Sequence, residues 1–169
     1  EYSVYFLYDI IKIEEENIMK LAIATDHAGR EMKMKVIECL IQNQFEVLDL
    51  SKVNTPTDDY PDFAFKVGKA VVNNDAQFGI LICNTGIGVS IAANKVKGIR
   101  AAHVENVYEA KMTTLDNNAN ILAFSSRLDF EDIKEIIKTF INTEFSNEER
   151  HIRRVDKIIK FENGEYNEL

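Results

Sequence analysis

In 169 residues the chain has no tryptophan, two prolines, seven glycines, three histidines and two cysteines. Each shortage removes a class of protein. Two cysteines are too few for a disulfide framework and fit a reducing compartment, so the expected location is the cytoplasm. Both prolines bracket one loop, Pro56-Thr-Asp-Asp-Tyr-Pro61, and no proline-rich linker remains to separate domains. Positive charge is short as well: 20 Lys and Arg against 28 Asp and Glu give a net charge of −8. That balance argues against nucleic acid or an anionic membrane surface as a partner, and it requires any anionic ligand to meet a local basic cluster. No apolar run is long enough to span a bilayer. The stretch 2–11 is apolar but short, carries Asp9 and runs into Glu14-Glu15-Glu16. Lacking a basic leading region, it does not read as an export signal. Two readings of residues 1–18 stand side by side. One is an N-terminal extension; the other is sequence ahead of a start at Met19, since three Glu codons give the purine-rich tract of a bacterial ribosome-binding site.

What is present is apolar material for one core, 46% of residues, which suffices for a single domain and not for two. From Met19 onward, short β-branched runs alternate with segments of helical period, the pattern of successive βαβ units. Strands are predicted at 20–25, 45–49, 78–83, 99–103 and 120–124. Helices are predicted near 30–42, 61–74, 87–95, 106–117 and 129–143. The run Phe78-Gly-Ile-Leu-Ile-Cys83 is continuously apolar, as in a central parallel strand covered on both faces. The expected fold is therefore a three-layer α/β/α, Rossmann-like domain with a five-stranded parallel sheet, spanning 19–160. A C-terminal helical arm with one apolar stripe begins at about 147, and residues 161–169 form a tail.

Open parallel sheets bind ligands beyond the carboxyl ends of their strands. After the third strand comes Cys83-Asn-Thr-Gly-Ile-Gly88, a glycine turn leading into an apolar helix, whose amides suit an anion. The turn lacks both the lysine of a phosphate-binding P-loop and the glycine spacing of a dinucleotide fingerprint. Cys83 there reads either as a small hydrophobe closing a buried strand or as a thiolate favoured by amide donors, with the Thr85 hydroxyl as a second donor. Cys39, among Val36, Ile37, Leu40 and Ile41, reads as a packed helix residue. After the first strand stand Asp26 and His27, where Asp26 also suits a helix cap. The loop Asp58-Asp59-Tyr60-Pro61 offers a carboxylate and a phenol or plain helix punctuation. Asp116-Asn117 precede the fifth strand and Ser125-Ser126-Arg127 follow it. Arg150 and Arg154, four apart, share a helical face, where they repel unless an anion lies between them.

Taken together, the segments Ala24-Thr-Asp-His-Ala-Gly29, Asp59-Tyr-Pro61, Ile80-Leu-Ile-Cys-Asn-Thr-Gly-Ile-Gly-Val-Ser-Ile-Ala-Ala-Asn-Lys95, Gly98-Ile-Arg-Ala101 and Asn118-Ala-Asn-Ile-Leu-Ala123 occur in order. This set resembles the type B ribose-5-phosphate isomerases, a family that includes the galactose-6-phosphate isomerase subunits. The resemblance covers Met19 to about Ile159. It implies an aldose–ketose isomerisation through an enediolate, with no metal or cofactor, in a homodimer with active sites at the subunit boundary; pairing of dimers into tetramers stays open. By the same resemblance Cys83 moves the proton between C1 and C2, with Thr85 beside it. Asn84, Gly86 and Gly88 lie around the oxyanion. Asp26, His27, Asp59, Tyr60 and Asn117 contact the sugar, and His27, Arg127, Arg150 and Arg154 hold the phosphate.

Two positions depart from the family pattern. Asp116 stands where the family usually has a His thought to help open the furanose ring, and an ionised carboxylate has no proton to donate. Asn84 replaces a common Gly, a milder change because Asn tolerates left-handed backbone angles. The leading substrate is D-ribose 5-phosphate. A six-carbon phosphate such as galactose 6-phosphate or allose 6-phosphate is the alternative, and a noncatalytic sugar-phosphate-binding module is the reading from another class. A redox role would need a resolving cysteine near Cys83, and no C-x-x-C spacing exists.

Overall fold

A computed structural model describes residues 18–166; the sequence reading of residues 1–17 and of the last three residues lies outside this range. Five strands, β1 (Lys20–Thr25), β2 (Glu46–Asp49), β3 (Phe78–Cys83), β4 (Ala101–His103) and β5 (Ile121–Ser125), form one parallel sheet in the order β2-β1-β3-β5-β4. The helices between and after them are α1 (Arg30–Gln42), α2 (Tyr60–Val72), α3 (Ile87–Ala93), α4 (Val107–Asn117), α5 (Phe130–Asn142) and α6 (Glu149–Glu162). The expected three-layer architecture is what forms.

The alternation of side chains along a strand divides the core in two. Leu21, Ile23, Ile80, Ile82, Leu122 and Phe124 point to one face, under Val36 and Leu40 of α1, Ala110 of α4 and Ile133, Ile136 and Phe140 of α5. Ala22, Ala24, Leu81, Cys83, Ile121 and Ala123 point to the other, under Phe63, Ala64 and Val67 of α2 and Val89 and Ala93 of α3. Small residues dominate the second face because α2 runs close to the sheet. A Cβ on Gly79 would lie 2.6 Å from a Val67 methyl carbon.

Most element ends fall within two residues of the predicted ones. β4 starts later than its apolar pattern suggests, because the backbone ahead of it is claimed by other partners. Ile99 N–H donates to the Val96 carbonyl, and Arg100 N–H donates to Asn120 Oδ1. The C-terminal arm is α6, which lies on α4 through His151 and Val155, while Ile152, Ile158 and Phe161 remain exposed. Among the described residues no helix is long and apolar enough to cross a membrane.

The chain leaves β1 toward β2 on one side and returns to β3 on the other. The carboxyl ends of β1 and β3 therefore flank the crevice where such sheets bind ligands.

Candidate active site

Cys83 ends β3 at that crevice and is 6% exposed. Three residues on, Gly86 takes a left-handed conformation, with φ of 76°, and the turn brings its N–H onto Cys83 Sγ at 3.1 Å. The donor to the sulfur is thus a backbone amide. The Thr85 hydroxyl, expected as a second donor, instead accepts the Ile87 N–H at 3.3 Å in the first turn of α3. The amide fixes the sulfur at the mouth of the crevice.

Around the turn, His103 at the end of β4 places Nε2 2.9 Å from the Thr85 carbonyl. Gly86 fits because it has no side chain: a Cβ would lie 2.6 Å from the Phe124 carbonyl carbon and 2.7 Å from His103. Asn84 is held twice. Its carbonyl accepts from Ser125 Oγ at 2.7 Å, and its Oδ1 accepts from Arg127 Nε at 2.9 Å. The Asn that departs from the family pattern therefore orients the Arg expected at the phosphate. Tyr60, at the start of α2, lies over Gly88, where a Cβ would come within 2.8 Å of its ring.

Asp26 and His27 occupy the opposite wall. Asp26 Oδ1 caps the short 3-10 turn His27–Gly29 by accepting the Ala28 N–H at 3.0 Å. Burial raises this carboxyl above its ordinary pKa against the pull of the Ala28 hydrogen bond. His27 is exposed, and both its backbone N–H and its Nδ1 meet Asp58 Oδ1, at 3.0 and 2.8 Å. The Asp58 hydrogen bond raises the imidazole pKa. At Asp58, burial pushes upward, but hydrogen bonds from Asn54, His27 and Thr55 prevail and hold the carboxyl below its ordinary range.

Sequence reasoning passed over Asn54 and gave the loop's binding role to Asp59. In the structure Asp58 is the residue that reaches back to β1, and Asn54 clamps it, donating to Asp58 Oδ2 at 2.8 Å and to the Thr25 carbonyl at 2.9 Å. The available signal was the i, i+4 pairing of Asn and Asp inside a proline-bracketed loop. Beneath, Lys33, 3% exposed, donates to Asp49 and Ser51, and Ser51 Oγ accepts the Thr25 N–H at 3.0 Å. This buried network fixes the end of β1, from which Asp26 and His27 project. Asp59 itself is exposed at the N-cap of α2, with no side-chain capping bond.

The structure gathers Asp26, His27, Asp59, Tyr60, Cys83, Asn84, Thr85, Gly86, Gly88 and Arg127 at the carboxyl ends of the strands. Asp116, Asn117, Arg150 and Arg154 are elsewhere. Helix α4 runs back across the sheet, so its last residues, Asp116 and Asn117, reach the amino end of β4, where Arg100 Nε donates to the Asn117 and Asn118 carbonyls at 3.2 and 2.9 Å. A strand of the length of β5, five residues, separates the two ends by roughly 15 Å. The first turn of α6 joins the second group: His151 Nε2 is 3.6 Å from Asp116 Oδ1, and the neighbouring Arg150 is exposed, its Nε 2.8 Å from Glu148. Arg154 is exposed one turn further on. Asn117 and Arg100 also line a groove of about 640 Å³ with Ile158, Phe161 and Glu162 of α6. Among the described residues no three His, Cys, Asp or Glu side chains come together as a metal site.

The family model described as Ribose/Galactose Isomerase matches residues 21–158. A protein of Mycoplasma genitalium named as a probable ribose-5-phosphate isomerase B is 47% identical over 144 residues, covering 83% of this chain and 93% of its own. Ribose-5-phosphate isomerase B of Clostridium thermocellum superimposes with a TM-score of 0.83 at 41% identity, covering 86% of this chain and 99% of that one. The Mycoplasma genitalium enzyme with bound ribulose-5-phosphate superimposes with a TM-score of 0.81 at 42% identity, covering 87% of this chain and 99% of that one. With the family model matched over most of the chain and the fold shared with these relatives, the chain belongs to the ribose/galactose isomerase family and is an aldose–ketose isomerase.

Proposed function

We propose that the chain interconverts D-ribose 5-phosphate and D-ribulose 5-phosphate through an enediolate, with Cys83 as the base. The observation that carries this reading is the Gly86 N–H held 3.1 Å from Cys83 Sγ at the mouth of the β1–β3 crevice. The substrate is suggested by the relative from Mycoplasma genitalium, whose solved structure holds ribulose-5-phosphate.

In the open-chain aldose, the Cys83 thiolate removes the C2 proton and the electron pair moves into the C1–C2 bond, leaving the enediolate. The pair of the C1=O1 bond goes onto O1 in that step; passing the O2 hydroxyl proton to O1 and returning the C2 proton to C1 then gives the ketose. Amides of the 84–88 turn stabilise the oxyanion, a contribution typically worth several kcal/mol in the transition state. One base and fixed hydrogen-bond donors suffice, so the reading calls for neither metal nor cofactor. Asp26, Asp59 and Asn117 hold sugar hydroxyls, while His27, Arg127, Arg150 and Arg154 hold the phosphate.

Because Asp116, Asn117, Arg150 and Arg154 sit at the far end of the sheet from Cys83, this assignment requires a second copy of the chain to supply them. A two-fold homodimer then builds two composite sites at its boundary.

The test is turnover of a panel of five- and six-carbon sugar phosphates by the purified full chain and by Cys83→Ala. Expected is activity on ribose 5-phosphate that falls by at least ~10²-fold in the variant. Binding of these phosphates without turnover by the wild type would leave only a binding module, and a strong preference for a hexose phosphate would move the substrate to six carbons.

A further inference from the structure

His151 is a buried titratable side chain that the reading above leaves without a task. It lies in the first turn of α6 and is 3% exposed. Its Nδ1 is 2.7 Å from Ser146 Oγ, and its Nε2 is 3.6 Å from Asp116 Oδ1. Ser146 Oγ also accepts the Glu148 N–H at 3.3 Å, so its single O–H proton is available to donate to Nδ1. A proton accepted at Nδ1 leaves the ring hydrogen on Nε2, the nitrogen that faces Asp116. The 3.6 Å separation is ion-pair distance rather than a hydrogen bond. Asp116, with its side chain 40% exposed, has room to turn and close it.

We propose that His151 is a positioning residue for Asp116. It holds one carboxylate oxygen through Nε2–H, so that the other oxygen is presented to the sugar for ring opening. The inference rests on the isomerase reading with a furanose substrate. In the ring form C1 is a hemiacetal, and the C2 proton is not acidic until C1 becomes a carbonyl. Opening breaks the C1–O4 bond, takes a proton from the O1 hydroxyl and places one on O4. An ionised carboxylate performs this without an initial proton of its own. It accepts the O1 proton as the C1=O1 bond forms and the C1–O4 bond breaks, then delivers the same proton to O4 and is ionised again. Asp116 can thus stand where an acid is usual in the family, provided its free oxygen is aimed at the O1–O4 edge. Fixing the other oxygen on a packed imidazole, itself fixed by Ser146, supplies that aim.

The experiment compares the full-length wild type with His151→Phe, His151→Gln, Asp116→Asn and the His151→Phe/Asp116→Asn double variant on two substrates. D-Ribose 5-phosphate must open. D-Erythrose 4-phosphate has its phosphate on O4 and cannot close a furanose, and its reaction is read as exchange of the C2 proton with solvent deuterium. His151→Phe is expected to lower kcat on ribose 5-phosphate about 10-fold with KM within about twofold, and to lower the ratio of ribose turnover to erythrose exchange by the same factor. Asp116→Asn is expected to lower kcat about 10²-fold, and the double variant no further, because removing the carboxylate removes what His151 positions. His151→Gln, which keeps an N–H donor, is expected to recover most of the loss.

Equal loss on both substrates, or additive losses in the double variant, would reduce His151 to a packing residue and overturn the proposal. So would unchanged ribose turnover in His151→Phe. Should the wild type not exchange erythrose 4-phosphate, additivity on ribose 5-phosphate decides alone. A wild type inert toward every sugar phosphate sinks the functional reading and this inference with it, an outcome distinct from an active wild type with indifferent variants.

Discussion

A charge at the mouth of the crevice is tuned by one neighbour. His27 is exposed, and its raised pKa comes chiefly from the hydrogen bond to Asp58, which outweighs the opposing effect of partial burial. The sign follows for both partners. The contribution of His27 to stability is fully present below its ordinary value of about 6.5 and is lost as pH rises through the raised folded value. That of Asp58 is present above the ordinary carboxylate value of about 3.9 and is lost as pH falls through its lowered folded value. The pair therefore operates across neutral pH, with the imidazole charged further upward than an isolated histidine would be. Followed by NMR, the His27 titration should have its midpoint above about 6.5 in the wild type and nearer that value in Asp58→Asn. The affinity for inorganic phosphate should decline at correspondingly lower pH in the variant. Identical midpoints would remove Asp58 from the phosphate site.

At the scale of the element, the turn between β3 and α3 is the part of the fold least able to accept change. Gly86→Ala would place a Cβ in a left-handed conformation and within 2.6 Å of the Phe124 backbone, which cannot yield as a flexible side chain can. The strain alone costs about 1–3 kcal/mol, and displacement of the Gly86 N–H from Cys83 should cut turnover beyond what the lost stability explains. Gly98 provides the comparison. Its φ is also positive, at 88°, but an added Cβ meets only a Val72 methyl carbon, at 3.2 Å, and the residue precedes β4 at the other end of the sheet. Gly98→Ala should show destabilisation of about 1–2 kcal/mol in urea unfolding and turnover within about twofold of wild type. Similar losses of turnover in both variants would mean that the turn contributes stability and no chemistry.

At the scale of the whole molecule, the consequence of the fold is a division. Cys83 and its neighbours project from the carboxyl ends of the strands, while α4 carries Asp116 and Asn117 back to the amino ends, next to α6. If a second copy completes the site, two individually inactive variants, Cys83→Ala and the Arg150→Ala/Arg154→Ala double variant, should complement when unfolded together and refolded. In a mixed dimer one site receives both defects and the other none, so random pairing returns about a quarter of wild-type activity. No recovery over either parent would place all of these residues in sites within single chains.

The order of strands and helices, the covering of β3 on both faces and the tight turn that follows it were legible in the sequence because each depends on local period and on the turn chemistry that follows a strand. Partners across the fold were not legible. Nothing local distinguishes Asp58 from Asp59 as the residue that grips His27, Gly86 from Thr85 as the donor to Cys83, or His151 from any other apolar-face histidine of an amphipathic helix. Those choices were made by the parallel packing of β1 beside β3, which folds the 51–59 loop onto His27, and by the docking of α6 on α4. Sequence by itself determined which chemistry the chain carries, because residue type and spacing are local. Tertiary structure decided which groups meet, because distances between segments many residues apart are set by how the sheet and its helices pack.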